Sequence, residues 1–285
     1  MKSVLLFLAL GLFAAATSFS ADEKGEKVSV MSFNIRFGTA NDKENAWPHR
    51  RELVAETIRK RSPDLLGLQE AIDFQVEFLA DKLPEYVVYS VPRTPGRGGE
   101  TCAILYRRDR FRKVDEGTFW LSETPDEVGS ISWDSSLPRI TSWVKLESLA
   151  SGKELIFANT HFDHKGVVAR TESAKLIRSH LAEIAGDVPI AITGDFNCGE
   201  ESEPYATLTD RDEGFRDTFR EAQPGKDLAN EITFTGFGLK PGTARIDWVL
   251  CSDHWGILSA GIDRYRGEDG RYPSDHEPVF SILEL

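Results

Sequence analysis

Polar and ionisable side chains recur in this sequence where apolar runs end or begin. Asn34 closes Val30-Met31-Ser32-Phe33, and Glu70 follows Leu65-Leu66-Gly67-Leu68-Gln69. His161 follows Ile156-Phe157-Ala158-Asn159-Thr160, while Asp195 and Asn197 follow Ile190-Ala191-Ile192-Thr193-Gly194. Asp247 precedes Trp248-Val249-Leu250, and Asp275-His276 precede Pro278-Val279-Phe280. Short apolar runs of this kind read as buried strands. If two sheets pack face to face, their strand ends converge on one rim.

These residue types suit attack of water on phosphorus. Glu70, Asn34 and Asp275 offer hard oxygen ligands of the kind Mg²⁺ takes, and Mn²⁺ accepts the same donors. Asp195 and Asn197 alternate along an extended segment, so both face one pocket and can hold a water. His276 beside a carboxylate can move a proton or meet phosphate as a cation. His161 can stabilise charge on phosphoryl oxygens. In-line displacement depends mainly on such positioning and charge stabilisation.

The elements that must carry these groups are legible in the hydrophobic pattern. Period-2 or continuous apolar runs predict strands over 28–35, 64–69, 86–91, 101–106, 111–120, 141–147, 154–160, 188–193, 245–251, 257–264 and 278–283. A helix is expected from Pro48 with Asn45 as its cap, another over 73–83, and a long one bearing Leu176, Ile177, Leu181 and Ile184. Arg107-Arg108-Asp109-Arg110 reads as a hairpin turn. Strands outnumber helices and several look buried on both faces, which calls for two packed sheets with helices outside. No repeat or linker divides 27–285, so one domain is expected there.

Composition narrows the function. The 285 residues are 40% hydrophobic and 28% charged, as in a globular protein. Lys2, an apolar run from Val4 to Ala16 and small residues to Ser20 predict a signal peptide over 1–20, with export to periplasm or medium. That run is too short to span a bilayer, so stable membrane insertion is not expected. The three cysteines, Cys102, Cys198 and Cys251, read as small buried side chains rather than a disulfide framework. A net charge of −12 argues against strong binding of duplex nucleic acid. The expected partner is a phosphate ester, a short oligonucleotide included, met by a monomer.

In this order, Met31-Ser32-Phe33-Asn34-Ile35-Arg36, Leu68-Gln69-Glu70, Asn159-Thr160-His161, Gly194-Asp195-Phe196-Asn197, Arg245-Ile246-Asp247 and Ser274-Asp275-His276-Glu277-Pro278-Val279 resemble the motifs of the endonuclease/exonuclease/phosphatase superfamily. That superfamily contains DNase-I-like nucleases, deadenylases, neutral sphingomyelinases and inositol polyphosphate phosphatases. The resemblance implies a DNase-I-like four-layer α/β sandwich, two mixed sheets flanked by helices. It implies Glu70 as principal Mg²⁺ ligand with Asn34 assisting and Asp275 nearby. Asp195, with Asn197 beside it, would orient or activate water; Asp247 and His276 would pair; His161 would contact the scissile phosphate. It leaves the general base open. Asn-Thr-His in place of a tyrosine motif is closer to the deadenylase and sphingomyelinase branches than to abasic-site nucleases.

Other segments resemble an exported bacterial branch: Asn41-Asp42 through Glu44-Asn45-Ala46-Trp47, Phe119-Trp120-Leu121-Ser122, Leu137-Pro138-Arg139 and Phe162-Asp163-His164. Loops there would shape specificity. Arg139 is the best candidate for a phosphate contact, with Asp163 and His164 as further substrate-binding residues. Trp120, Trp133 and Trp143 read as core or loop anchors rather than stacking platforms, with Trp120 and Trp133 as candidates to flank the cleft. Asp253-His254 repeats the Asp-His dipeptide outside the motif and reads as surface, as does His49; His180 reads as the edge of the core. A small or single-stranded phosphodiester leads the substrate classes. Phospholipid headgroups and sugar or inositol phosphates follow, and no strongly apolar loop favours the lipid. A silent binding module would lack a catalytic group, and none is replaced.

Overall fold

The computed structural model describes residues 25–96, 98–210, 212, 214–226 and 231–285. The signal peptide expected over 1–20 lies outside them. In chain order the elements are β1 (Lys27–Asn34), α1 (Trp47–Arg61), β2 (Leu65–Ala71), α2 (Asp73–Lys82), β3 (Tyr86–Tyr89) and β4 (Thr101–Arg107). Then follow β5 (Phe111–Trp120), β6 (Ile140–Ser148), β7 (Glu154–His161), α3 (Val167–Ala185), β8 (Ile190–Asp195) and α4 (Glu203–Leu208). The last are β9 (Arg216–Asp217), α5 (Thr218–Ala222), β10 (Asp247–Cys251), β11 (Gly256–Ile262) and β12 (Val279–Glu284).

The strands form two six-stranded sheets, ordered β11-β12-β1-β2-β4-β3 and β5-β6-β7-β8-β10-β9. Each has one parallel pair near its centre, β1 with β2 and β7 with β8, and every other pairing is antiparallel. Parallel neighbours require a crossover, supplied by α1 in the first sheet and α3 in the second. Val28, Val30, Leu65 and Ile104 of the first sheet pack against Val144, Leu155 and Phe157 of the second. On the outer faces, Val54, Ile58 and Leu79 cover the first sheet, and Ile177 and Leu181 cover the second. Helix, sheet, sheet and helix give the four layers of a DNase-I-like sandwich.

A buried polar cluster joins the sheets near one rim. Asn159 on β7 donates through Nδ2 to Leu68 O at 2.8 Å and Ala103 O at 2.9 Å. Its Oδ1 accepts from Gln69 Nε2 at 2.6 Å and Thr193 Oγ1 at 3.1 Å. Gly67 has no room for a side chain, because a Cβ there would overlap Thr193 Oγ1 and Asn159. The two sheets are thus registered by hydrogen bonds, which specify one alignment more narrowly than apolar contact does.

Some expectations change. Asn45 lies in a 3₁₀ turn; Ala46 takes the cap position of α1 without a side-chain hydrogen bond, and Pro48 occupies the first turn. The Arg107–Arg110 segment is a tight turn but not a hairpin, since β4 and β5 belong to different sheets. Its charges are used locally: Arg107 pairs with Asp109, and Arg110 with Glu26 and Asp64. The short elements α4, β9 and α5 have no counterpart in the sequence reading, being too brief to show a period. Cys102 and Cys251 are buried and Cys198 is half-buried, all as free thiols. Among the described residues no helix is long and apolar enough to cross a membrane.

Candidate functional site

Both parallel pairs end at the rim beside the polar cluster. The antiparallel neighbours β4, β10 and β12 begin there, because their direction is reversed. This topology brings Asn34, Glu70, His161 and Asp195 at strand ends beside Asp247 at the start of β10 and Asp275-His276 in the loop before β12. They surround a cavity of about 450 Å³, whose walls include Glu70, Arg139, His161, Asp195, Asp275 and His276.

Local backbone geometry aims these groups. Glu70 sits at a register irregularity between β2 and β4 with φ +62°, and Asn197 has φ +51°. Arg36, at φ +61°, turns the chain out of β1. Left-handed residues other than glycine carry strain of about 1–3 kcal/mol and persist only where surroundings enforce them. Arg50, buried on α1, supplies such enforcement. It donates to Ile35 O at 2.6 Å, Asn45 O at 2.9 Å, Pro273 O at 3.0 Å and Arg36 O at 3.2 Å. One guanidinium thereby holds the loop after β1 against the loop before β12.

Asn34 bridges the carboxylates. Its Nδ2 donates to Glu70 Oε1 at 3.1 Å and Asp195 Oδ2 at 2.9 Å, while Oδ1 accepts from Arg36 N at 3.0 Å. The side-chain oxygen, the atom expected to serve as a ligand, accepts this one backbone bond and keeps a second lone pair. Glu70 Oε2 accepts from Phe37 N at 2.7 Å. Asp195 Oδ1 accepts from Asn197 N at 3.0 Å, and Asn197 Nδ2 donates to Phe162 O at 3.0 Å.

His276 Nδ1 lies 2.9 Å from Asp247 Oδ2, and its Nε2 lies 3.7 Å from Asp195 Oδ2. Burial opposes charge on this imidazole, but Asp247 and Asp195 outweigh burial and hold its pKa well above the ordinary value. His161 behaves oppositely. Burial, with Arg139 adding repulsion, holds its pKa well below the ordinary value, so it is neutral. Its Nε2 lies 3.5 Å from Asp195 Oδ2. Burial and the neighbouring Asp247 raise the pKa of Asp195, partly offset by His276. The cavity thus holds one cationic and one neutral imidazole on either side of a carboxyl poised to accept a proton.

The donors fit a divalent cation. Ligand atoms of Glu70, Asp195 and His276 lie within 4.8 Å of one another. Burial raises the pKa of Asp275, and repulsion from Glu70 adds to it, a strain that a hard cation beside the carboxylates would relieve. Because His276 is held as a cation, the carboxylate oxygens of Glu70 and Asp275 are the better donors.

Arg139 is buried, 4% exposed, and lines the same cavity. Nη2 lies 3.1 Å from His164 Nδ1 and Nε lies 3.6 Å from Asp163 Oδ2, but Nε and Nη1 have no hydrogen-bond acceptor. Asp163 does not reach the cavity. It is buried behind Arg139, accepting from Lys165 N, Gly166 N and Ser136 Oγ. It positions the arginine and cannot touch substrate directly; His164 does line the cavity. Trp120 is buried with Nε1 donating to Arg93 O, and neither it nor Trp133 lines the cleft. His49 and His254 are exposed, and His180 is half-buried against Phe119.

Glu100 was not foreseen. It lines the cavity, pairs with Arg93 at 2.9 Å and places Oε2 4.0 Å from His161 Nδ1. Its signal is an acid just before an apolar run, the same one that marks Asp275.

Residues 31–276 match the Endonuclease/Exonuclease/phosphatase family. The chain belongs to that family. Family members hydrolyse phosphoester bonds and depend on divalent metal, and this chain is a hydrolase of that class. A solved Bacteroides vulgatus member is 35% identical, with a TM-score of 0.85, covering 91% of this chain and 99% of that one. A Bacteroides thetaiotaomicron mannosyl-6-phosphatase is 34% identical, with a TM-score of 0.83, covering 90% of this chain and all of that one. Nocturnin of Drosophila melanogaster is 28% identical over 213 residues, covering 66% of this chain; the match spans only 32% of its own length.

Proposed function

We propose that the chain hydrolyses a phosphomonoester on a small phosphorylated carbohydrate, with Mg²⁺ or Mn²⁺ at Glu70 and Asp275. The observation that carries this reading is Arg139, a buried guanidinium with two nitrogens lacking acceptors in the wall of the cavity that holds Glu70, Asp195 and both histidines. A buried guanidinium with unsatisfied donors is costly, and a phosphate dianion in the cavity would give it a counter-anion. A terminal phosphate has three free oxygens, enough for Arg139, His161 and His276 together, whereas a diester has two. The mannosyl-6-phosphatase, similar over its whole length, supports the same choice. The charge pattern and residue types rank a phosphodiester first in the sequence; Arg139 and this relative move the monoester ahead.

When bound, the divalent cation supplies Lewis acidity to phosphoryl and leaving oxygens. Asp195, with Asn197 beside it, holds the water and takes its proton as the oxygen attacks phosphorus. His276, kept positive by Asp247, and neutral His161 donate N–H groups to the equatorial oxygens, with Arg139 completing the set. A short single-stranded phosphodiester is the second reading, favoured by similarity to proteins named as 3′-5′-exoribonuclease subunits.

The test measures product release from mannose 6-phosphate, p-nitrophenyl phosphate and bis-p-nitrophenyl phosphate, with Mg²⁺, Mn²⁺ or EDTA, for wild type and Glu70→Ala. Release from the monoesters that EDTA and Glu70→Ala abolish is expected. Release from the diester alone would overturn the monoester reading in favour of the second. Activity that survives EDTA would overturn the metal.

A further inference from the structure

A second cavity of about 320 Å³ adjoins the catalytic one, lined by Phe37, Thr39, Ile72, Asp73, Phe74 and Glu77. Phe37 lines both. We propose that this second cavity binds a neutral, polyhydroxylated unit glycosidically linked to the phosphorylated sugar, which makes the chain selective for phosphorylated oligosaccharides over free sugar phosphates. The inference rests on the monoester reading above and deepens it.

The aromatic surface is rigid. Phe37 N donates to Glu70 Oε2, and Gly38 N donates at 2.9 Å to Oε1 of Gln75, a buried residue of α2. Gln75 Nε2 returns a bond to Arg36 O at 3.0 Å, and Arg36 pairs with Asp42 through two hydrogen bonds of 3.0 Å. The Phe74 ring lies against Gly38, where a Cβ would come within 2.8 Å of Cζ. Phe37, Gly38 and Phe74 therefore form one continuous surface, and Phe74 is 42% exposed. Rigid, solvent-facing rings beside a catalytic carboxylate offer stacking area at little entropic cost on binding.

Direction supports the same use. In-line displacement places the leaving oxygen across phosphorus from the attacking water. Asp195 and Asn197 hold that water at the end of β8 in the second sheet, whereas Phe37 lies in the loop after β1 and α2 follows β2, both strands of the first. The leaving alkoxide, and the sugar attached to it, face Phe37. The next unit then reaches Phe74 and the carboxylates of Asp73 and Glu77.

Charge selects the chemistry. Asp73 and Glu77 stand one turn apart on α2, and their carboxylates have no hydrogen-bond or ion-pair partner among the described residues. Carboxylates beside aromatic rings suit hydroxyl donors on a ring with an apolar face. A nucleotide chain would stack on the same rings but bring a further phosphate against two acids, which like-charge repulsion disfavours.

The test compares phosphate release from mannose 6-phosphate, from mannobiose phosphorylated at O6 of one residue, and from a 5′-phosphorylated dinucleotide, in wild type, Phe74→Ala and Glu77→Gln. Circular-dichroism melting checks that each variant is folded. Wild type is expected to favour the disaccharide about tenfold in kcat/KM, and Phe74→Ala to bring that ratio to about one. A wild-type ratio of about one, or a preference that persists in both folded variants, overturns the subsite and leaves the monoester reading intact. Preference for the dinucleotide that depends on Phe74 overturns the glycosyl assignment. No release from any of the three substrates overturns the monoester reading, and the subsite with it; release from the dinucleotide alone overturns the glycosyl assignment only.

Discussion

Asp247 Oδ2 holds His276 Nδ1 at 2.9 Å, which turns Nε2 of the same ring toward Asp195. The pair sets the charge of the imidazole: burial alone would lower its pKa, and Asp247, with Asp195, raises it. Asp247→Asn removes the main raising charge, so His276 loses its proton at lower pH. The alkaline limb of the kcat/KM profile is expected to move to lower pH, with the rate at pH 7 falling about 100-fold. An unmoved limb in the pH–rate profile would show that the charge on His276 is not used.

Arg139 gives a second prediction. Lysine keeps the charge but loses the planar fork and the reach of two donors. Arg139→Lys is expected to lower kcat/KM about 100-fold and to weaken competitive inhibition by inorganic phosphate. Asp163→Asn, which loosens the guanidinium without touching the cavity, should cost about tenfold in the same two measurements. Unchanged phosphate inhibition in Arg139→Lys would remove Arg139 from the phosphate site.

Metal binding should be visible without turnover. A ligand that binds only the folded state at 100 times its Kd adds about 2.7 kcal/mol of stability. Mg²⁺ is expected to raise the melting temperature of wild type, EDTA to reverse the rise, and Glu70→Gln to abolish it. Equal shifts in wild type and Glu70→Gln, measured by scanning calorimetry, would place the cation elsewhere.

The polar seam between the sheets predicts a stability effect far from substrate. Gly67→Ala drives a methyl into Thr193 Oγ1 and Asn159, both fixed by hydrogen bonds. Overpacking of this kind costs about 1–3 kcal/mol. Urea unfolding should show a lower midpoint with an unchanged slope; an unchanged midpoint would mean the seam yields freely.

The rim was legible because Glu70, His161 and Asp195 each close a short, mostly apolar run, and a buried strand that ends in an acid or imidazole shows in sequence alone. Asp247 and Asp275 were visible for the mirrored reason. Glu100 carries the same mark, yet it matters only because β4 runs antiparallel to β2 and so starts where β2 ends, and strand direction is not written locally. The turn after Arg107 shows the same limit: a three-residue reversal has the same composition whether it folds back within a sheet or crosses to another. Asp163 was misplaced because its neighbour His164 reaches the cavity while its own carboxylate turns back to cap Lys165 and Gly166. The platform at Phe37 depends on Gln75, whose tie to the loop spans 37 residues of chain.

Glu70 and Asn34 belong to the first sheet and Asp275 to the loop that leads into it, while His161, Asp195 and Asp247 belong to the second; Asn34 reaches across to Asp195 at 2.9 Å. Neither sheet alone contains a complete site. During refolding each sheet can form its own strands and helices early, yet the chemistry waits for the two faces to meet in register. Recovered turnover is therefore a clock for sheet docking, and it should lag the return of secondary structure measured on the same sample.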